Sequence, residues 1–187
     1  MSDRRPRARR DARGQALTEF ALIAPILFLL LFGVLQLGLL FGGQNGLVNG
    51  VREAARRAAT YRVNDISLSD PGILAAVCTS VENQLTTDLQ AALPAFTATR
   101  LHASVSYHWE ANPGGAAASP QPSGGGDGYF LYVEVDASYD HPLYVPLVGV
   151  FFDGLDGTND NAFTLRASEQ MRVENPSLPQ GSNAACP

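Results

Sequence analysis

The sequence predicts an α+β protein: a long N-terminal transmembrane helix, then a second helix packed on a three-stranded antiparallel sheet. Three observations predict it. Residues 21–41 are uncharged and almost wholly apolar. Residues 71–93 place apolar side chains three and four apart, the period of a helix with one buried face. Three later segments alternate apolar and polar residues, the period of a half-buried strand.

Charge divides the chain. Residues 1–14 hold six of its 13 basic residues (Arg4, Arg5, Arg7, Arg9, Arg10 and Arg13) against Asp3 and Asp11, a net +4. The rest holds seven arginines and 16 acids, a net −9. An acidic body argues against a nucleic-acid partner, which needs a basic surface. A basic cluster just ahead of an apolar run points to a lipid bilayer instead. Within residues 21–41, ALIAPILFLLLFGVLQLGLLF, the one strongly polar side chain is Gln36. At ~1.5 Å per residue this segment is about 31 Å long, against a hydrocarbon core of about 30 Å. The next charges are Arg52 and Glu53. The positive-inside rule then leaves the N-terminus in the cytoplasm and the body outside, across an inner or plasma membrane.

The apolar run is longer than the ~7–15 residues of an ordinary secretory signal. No small-x-small cleavage site closes it before helical sequence resumes in QNGLVNGVREAARRAATYR. There Val51, Ala54, Ala55, Ala58 and Ala59 fall at helical spacing, and Glu53 stands four before Arg57. One helix is expected from near Gln15 to near Tyr61, reaching several turns past the bilayer. Pro25 should kink it or loosen one turn. Gly33, Gly38, Gly42, Gly43, Gly46 and Gly50 lower its intrinsic helicity and supply small faces for another helix. Glu19, at the start of the apolar run, reads on physical grounds alone as an interfacial carboxylate.

The exported body follows in order. Residues 64–71 read as a turn, and Asp70-Pro71 is an N-cap followed by proline at the first helical position. The second helix carries Ile73, Leu74, Val77, Val81, Leu85, Leu89 and Leu93 as one stripe, with Cys78 beside it. The first strand buries Leu101, Ala103, Val105, Tyr107 and Trp109. Residues 111–128, rich in Gly, Pro, Ala and Ser, read as a flexible connection. The second strand buries Tyr129, Leu131, Val133, Val135, Ala137 and Tyr139. The third, about 162–174, buries Phe163, Leu165, Ala167, Met171 and Val173, interrupted by Glu169. Residues after Pro176 read as irregular. The chain thus divides into a basic cytoplasmic leader (1–14), a transmembrane and extended helix (15–62) and an exported α+β domain (65–187).

Chemistry-bearing residues are sparse. Cys78 and Cys186 show no metal-binding spacing. In an exported body they can form one disulfide closing a long loop; otherwise Cys78 is buried and Cys186 loose. His102 and His108 share a strand face but lie about 20 Å apart at ~3.3 Å per residue, too far to share an ion. His141 precedes Pro142 in an expected loop with no triad partner. Asp153, Asp156, Asn159 and Asp160 form an oxygen-rich turn without EF-hand spacing, read as an Asx turn over a calcium site. Residues 142–152, PLYVPLVGVFF, are apolar for a connection and either fill the core edge or form a docking patch. No catalytic residue, cofactor or metal is expected, and no enzyme activity.

The segment RGQALTEF followed by an apolar helix resembles the N-terminus of TadE-like proteins, minor pseudopilins of the Tad (Flp) pilus system. The family pattern is a basic leader ending in Gly, four residues, then Glu and an aromatic. Here these are Gly14, Gln15 to Thr18, Glu19 and Phe20. Arg52 to Ala59 also resembles the family's small-rich helical continuation, so the resemblance covers about the first third of the chain. It implies that a membrane-embedded prepilin peptidase cuts between Gly14 and Gln15 and leaves the apolar helix in place. It further implies that Glu19 pairs with the new α-amino group of a neighbouring subunit's Gln15. Expected partners are the prepilin peptidase, a major pilin and other pseudopilins of the system. The expected fold is pilin-like and the expected role is assembly or initiation of a Tad type IV pilus. The alternative is an uncleaved single-pass anchor whose body binds a partner in the cell envelope. A tethered extracellular enzyme is a third reading, for which the sequence offers no nucleophile, base or metal cluster.

Overall fold

The computed structural model describes residues 8–60, 70–93, 95–111, 129–145, 149, 152, 153, 155, 157, 160–173 and 183–186, with side chains from residue 14 onward. Helix α1, Ala8–Thr60, is a single 53-residue helix that continues through Pro25. Helix α2 spans Pro71–Ala92. Asp70 caps it as expected: its side chain accepts from the Gly72 N–H at 2.8 Å, with Pro71 at the first helical position. Leu93, buried, closes the helix with its N–H on the Leu89 carbonyl. A short 3-10 turn, Ala98–Arg100, leads into the sheet.

Among the described residues the sheet is antiparallel and has four strands, in the order β3-β2-β1-β4. Strands β1 (Leu101–Ala111), β2 (Tyr129–Pro142) and β3 (Ala162–Arg172) are the three expected. The fourth, β4 (Ala184–Ala185), corrects the reading of an irregular tail. It pairs with Ser106 and Tyr107 of β1, and the Cys186 N–H donates to the Val105 carbonyl. Two residues are too few to leave a period in sequence. A disulfide from Cys186 to Cys78 on α2, with Cα atoms 5.8 Å apart, joins this edge to the helix layer. Of the connection expected over 111–128, Ala111 ends β1 and the remainder lies outside the described residues, as do residues 1–7, 64–69 and 174–182.

The strand faces alternate as the pattern requires. Leu131, Val133, Val135, Ala137 and Tyr139 are buried, while Tyr129 at the strand's start is exposed. His141 extends this buried row. It is the penultimate residue of β2, not a loop residue, and only 1% exposed.

The sheet packs chiefly on α1, against the expectation that the second helix covers it: α2 lies mainly along α1 and touches the sheet at β1. Leu40, Leu47, Val51, Ala54, Ala55, Ala58 and Ala59 of α1 join Val77, Val81, Leu85 and Leu89 of α2 and the inner sheet face in one core. Small residues permit the close approach: a Cβ on Gly46 would collide with the Ala92 Cβ, and one on Gly43 would come within 2.9 Å of Leu93 Cδ2. The glycine faces at 43, 46 and 50 are therefore filled from within this chain. Gly33, Gly38 and Gly42 have no neighbour within 4 Å of an added Cβ.

Four polar contacts tie α1 to the sheet layer along its length. The Tyr144 N–H donates to Gln36 Oε1 at 3.0 Å, and Gln44 Nε2 donates to the Arg166 carbonyl at 2.9 Å. Arg52 meets Glu169 at 3.5 Å, which accounts for a charge on the inward row of β3. The Tyr107 hydroxyl donates to the Ala58 carbonyl at 3.1 Å, in the last turn, where carbonyls lose their helical partners. Burial raises the Tyr107 pKa, so the hydroxyl keeps its proton. On the helix surface Glu53 bonds Arg56 at 2.6 Å and lies 3.9 Å from Arg57; the i,i+3 partner is the nearer, and its hydrogen bond holds the carboxyl below its usual range.

Candidate functional site

From Gly14 to Leu35 no residue of α1 is buried. Leu17, Phe20, Leu22, Ile23, Ile26, Leu27 and their successors lie open on every side, with Phe20 60% exposed. Soluble proteins rarely leave so many large apolar side chains uncovered on one element, because each stabilises the molecule by leaving water. The helix is long and apolar enough to cross a membrane. The residues at its head are reachable. Gly14 is exposed, and a Cβ there would meet nothing within 4 Å. Gln15, Glu19 and Phe20 follow on the same exposed helix. Gln15 Nε2 donates to Glu19 Oε1 at 3.1 Å, one turn away, and the Thr18 hydroxyl donates to the Gln15 carbonyl at 2.8 Å. The carboxylate thus has an amide partner within its own chain. The Gly14–Gln15 bond lies within α1, where the glycine lowers local helix propensity.

Residues 14–56 match the family model described as TadE-like protein. That TadE-like segment begins at Gly14, takes in the whole apolar rod and ends in the REAARRAA continuation. No curated protein and no solved structure matches the chain.

Elsewhere the chemistry-bearing residues fall apart or turn inward. Among the described residues no group of three or more His, Cys, Asp or Glu could hold a metal ion. His102 and His108 point from the outer sheet face at different partners: His102 lies 3.9 Å from Asp140, and His108 bonds Glu110 at 3.0 Å. Gln170 joins the second cluster, donating to Glu110 at 2.9 Å, and these bonds lower the Glu110 pKa. His141 packs edge-on against Tyr139 and Tyr144 with Nδ1 on the Pro142 carbonyl at 3.0 Å. Asp160 accepts from the Ala162 N–H at 3.1 Å, as in an Asx turn, while Asp153 accepts from the Asn161 N–H at 2.6 Å, eight residues on. Asp156 and Asn159 lie outside the described residues. Within 142–152, Leu143 is buried and Phe152 packs against the core, while Tyr144 is 44% exposed.

The junction of Gln36 with Tyr144 carries no sequence signal. The two are 108 residues apart, and a lone polar residue in an apolar run does not name its partner.

Proposed function

We propose that this chain is a TadE-like minor pseudopilin acting in assembly or initiation of a Tad-type pilus, without catalytic chemistry of its own. One observation carries the reading: the Gly14, Gln15, Glu19, Phe20 pattern stands at the head of an uncovered apolar helix, inside the segment that matches the TadE-like family. In this reading α1 crosses the membrane with the basic leader in the cytoplasm. A prepilin peptidase removes residues 1–14, and the chain then meets the major pilin and other pseudopilins through its helix and its outer domain. Cleavage frees an α-amine on Gln15. A carboxylate within a bundle of lipid-embedded helices is costly unless paired, and that amine is a partner created by processing.

The test is the N-terminal residue and intact mass of the membrane-extracted protein from its native host. The expected chain begins at Gln15. A Gly14→Val variant should keep its leader while folding normally, because a Cβ at Gly14 meets nothing within 4 Å among the described residues. A native chain that retains all six leading arginines overturns the pseudopilin reading and leaves an uncleaved envelope-binding anchor.

A further inference from the structure

We propose that the outer face of the sheet holds the headgroup of a zwitterionic membrane lipid, with Arg166 on its phosphate and Asp136 on its primary ammonium. This rests on the reading of α1 as a membrane span. The face lies opposite the α1 core and carries a depression of about 460 Å³, a volume within the range of small-ligand sites. Its floor is low because Ser104, Ser138 and Ser168 adjoin across the three strands. The register sets two charges among them. Arg166 pairs with Ser138, and Asp136 stands between Ser104 and Ser168, which makes the two charged residues diagonal neighbours about 7–8 Å apart. Neither side chain has a partner among the described residues. Other charges on this face are engaged: Thr164 donates to Asp140 at 2.8 Å, Gln170 and His108 hold Glu110, and Arg172 lies over the Phe130 ring. One cation and one acid cancel, so the depression suits neither a bare metal ion nor a polyanion. Strand β2 is bonded on both sides here, so no peptide can join it as a further strand. A ligand with both charges on a short link fits.

Depth selects that ligand. Helix α1 and strand β3 run side by side: Gly43 lies against Leu165, Gln44 donates to the Arg166 carbonyl, and Arg52 meets Glu169. The eight residues from Gln44 to Arg52 advance about 12 Å along the helix, and the three from Arg166 to Glu169 about 10 Å along the strand. Arg166 thus stands at the level of Gln44, and Asp136, beside Ser168, about 7 Å further out. The uncovered apolar face of α1 ends at Phe41, and exposed Asn45 follows one turn later. Gln44 is about 4.5 Å beyond Phe41, and the headgroup layer is about 5–7 Å deep. Arg166 therefore lies among lipid phosphates and Asp136 on their water side. Phosphate and ammonium follow in the same order, outward, in an ethanolamine headgroup. Below them Asp140 is engaged by Thr164, and Arg100 and His102 stand beside it at 3.5 and 3.9 Å, which leaves the lower end basic. A primary ammonium offers N–H donors to the Asp136 carboxylate, which choline cannot.

The test is native mass spectrometry of the detergent-extracted full chain, titrated with phosphatidylethanolamine, phosphatidylcholine and phosphatidylglycerol of matched acyl chains. Flotation with liposomes comes first: a chain that does not float overturns the span reading and takes the proposal with it. For a chain that floats, one ethanolamine lipid should be held about tenfold more tightly than either of the others, the worth of one charge-assisted contact. Asp136→Asn should abolish that preference, and Arg166→Gln should weaken the ethanolamine lipid about tenfold, both at an unchanged melting temperature. If either variant unfolds, Ser168→Tyr fills the depression without removing a charge and should also abolish the preference. Equal retention of the three lipids by the parent, or a preference that survives these substitutions, overturns the proposal and leaves the span standing. Glycerophosphoethanolamine, the same headgroup without acyl chains, should not compete at equal concentration. If it binds as tightly as the lipid, the site serves a soluble ligand and the lipid proposal falls.

Discussion

Gly46 and His141 show how single residues set the packing of this molecule. At Gly46 two effects compete. Alanine is the better helix former by about 1 kcal/mol, but its Cβ would overlap Ala92 on α2. Overpacking between fixed helices costs about 1–3 kcal/mol, so the clash should win. Gly46→Ala is expected to lower the melting temperature, and adding Ala92→Gly should recover part of the loss. Thermal unfolding of the single and double variants checks both. At His141 burial, first, and the nearby Arg100 push the imidazole pKa down, against backbone hydrogen bonds that raise it. The folded state then binds fewer protons than the unfolded chain, whose imidazole titrates near ~6.5. Stability from this group is full above about 6.5 and is lost as pH falls toward the folded pKa. The carboxylates held low by hydrogen bonds, Glu53 and Glu110, lose theirs only in the lower carboxylate range. Denaturant unfolding between pH 7 and 5 should therefore show a fall in the parent that His141→Phe flattens.

Between elements, the short β4 strand and its disulfide bear the most testable load. Two ladder residues contribute little by themselves, so the covalent link must keep the tail in place. The link closes a loop with a sequence separation of 108, for which chain-entropy reasoning gives roughly 4–5 kcal/mol. Reduction, or the Cys78→Ser/Cys186→Ser pair, should lower the unfolding free energy by that order and release the β4 amides to hydrogen exchange. Equal protection in both forms would show that strand pairing suffices. The same elements mark what could be read in advance. Helix α2 and strands β1 to β3 carry long periodic patterns, so their buried faces followed from spacing alone. Strand β4 is too short to have a period. The inward Glu169 looked like an interruption because its partner Arg52 lies on another element. The alanines of 54–59 declared a helix but not their burial, since small side chains suit a close contact and a solvent face equally. The motif at Gly14 to Phe20 is local and was readable. The Gln36–Tyr144 junction depends on where two distant segments meet and was not.

At the scale of the whole molecule, the pseudopilin reading makes Glu19 a residue of assembly rather than of folding. Among the described residues, nothing but Gln15 bonds its carboxylate. Glu19→Ala should therefore leave membrane insertion and the melting of the outer domain unchanged while reducing pilus formation. Fractionation and thermal unfolding read the first two, and counts of surface pili read the third. If Glu19→Ala melts the domain or blocks insertion, the residue belongs to the fold instead.

Helix α1 passes without a break from its bare apolar half into the centre of the core. In mechanical terms the domain has no swivel at its base. A soft tether would let the sheet turn freely above the membrane; a rod gripped at Gln36, Gln44, Arg52 and Ala58 cannot. Torque or tilt applied to the lipid-facing half reaches the sheet undiminished. Pulling the rod axially would shear its side chains out of the core, so extracting the anchor and unfolding the domain are one event.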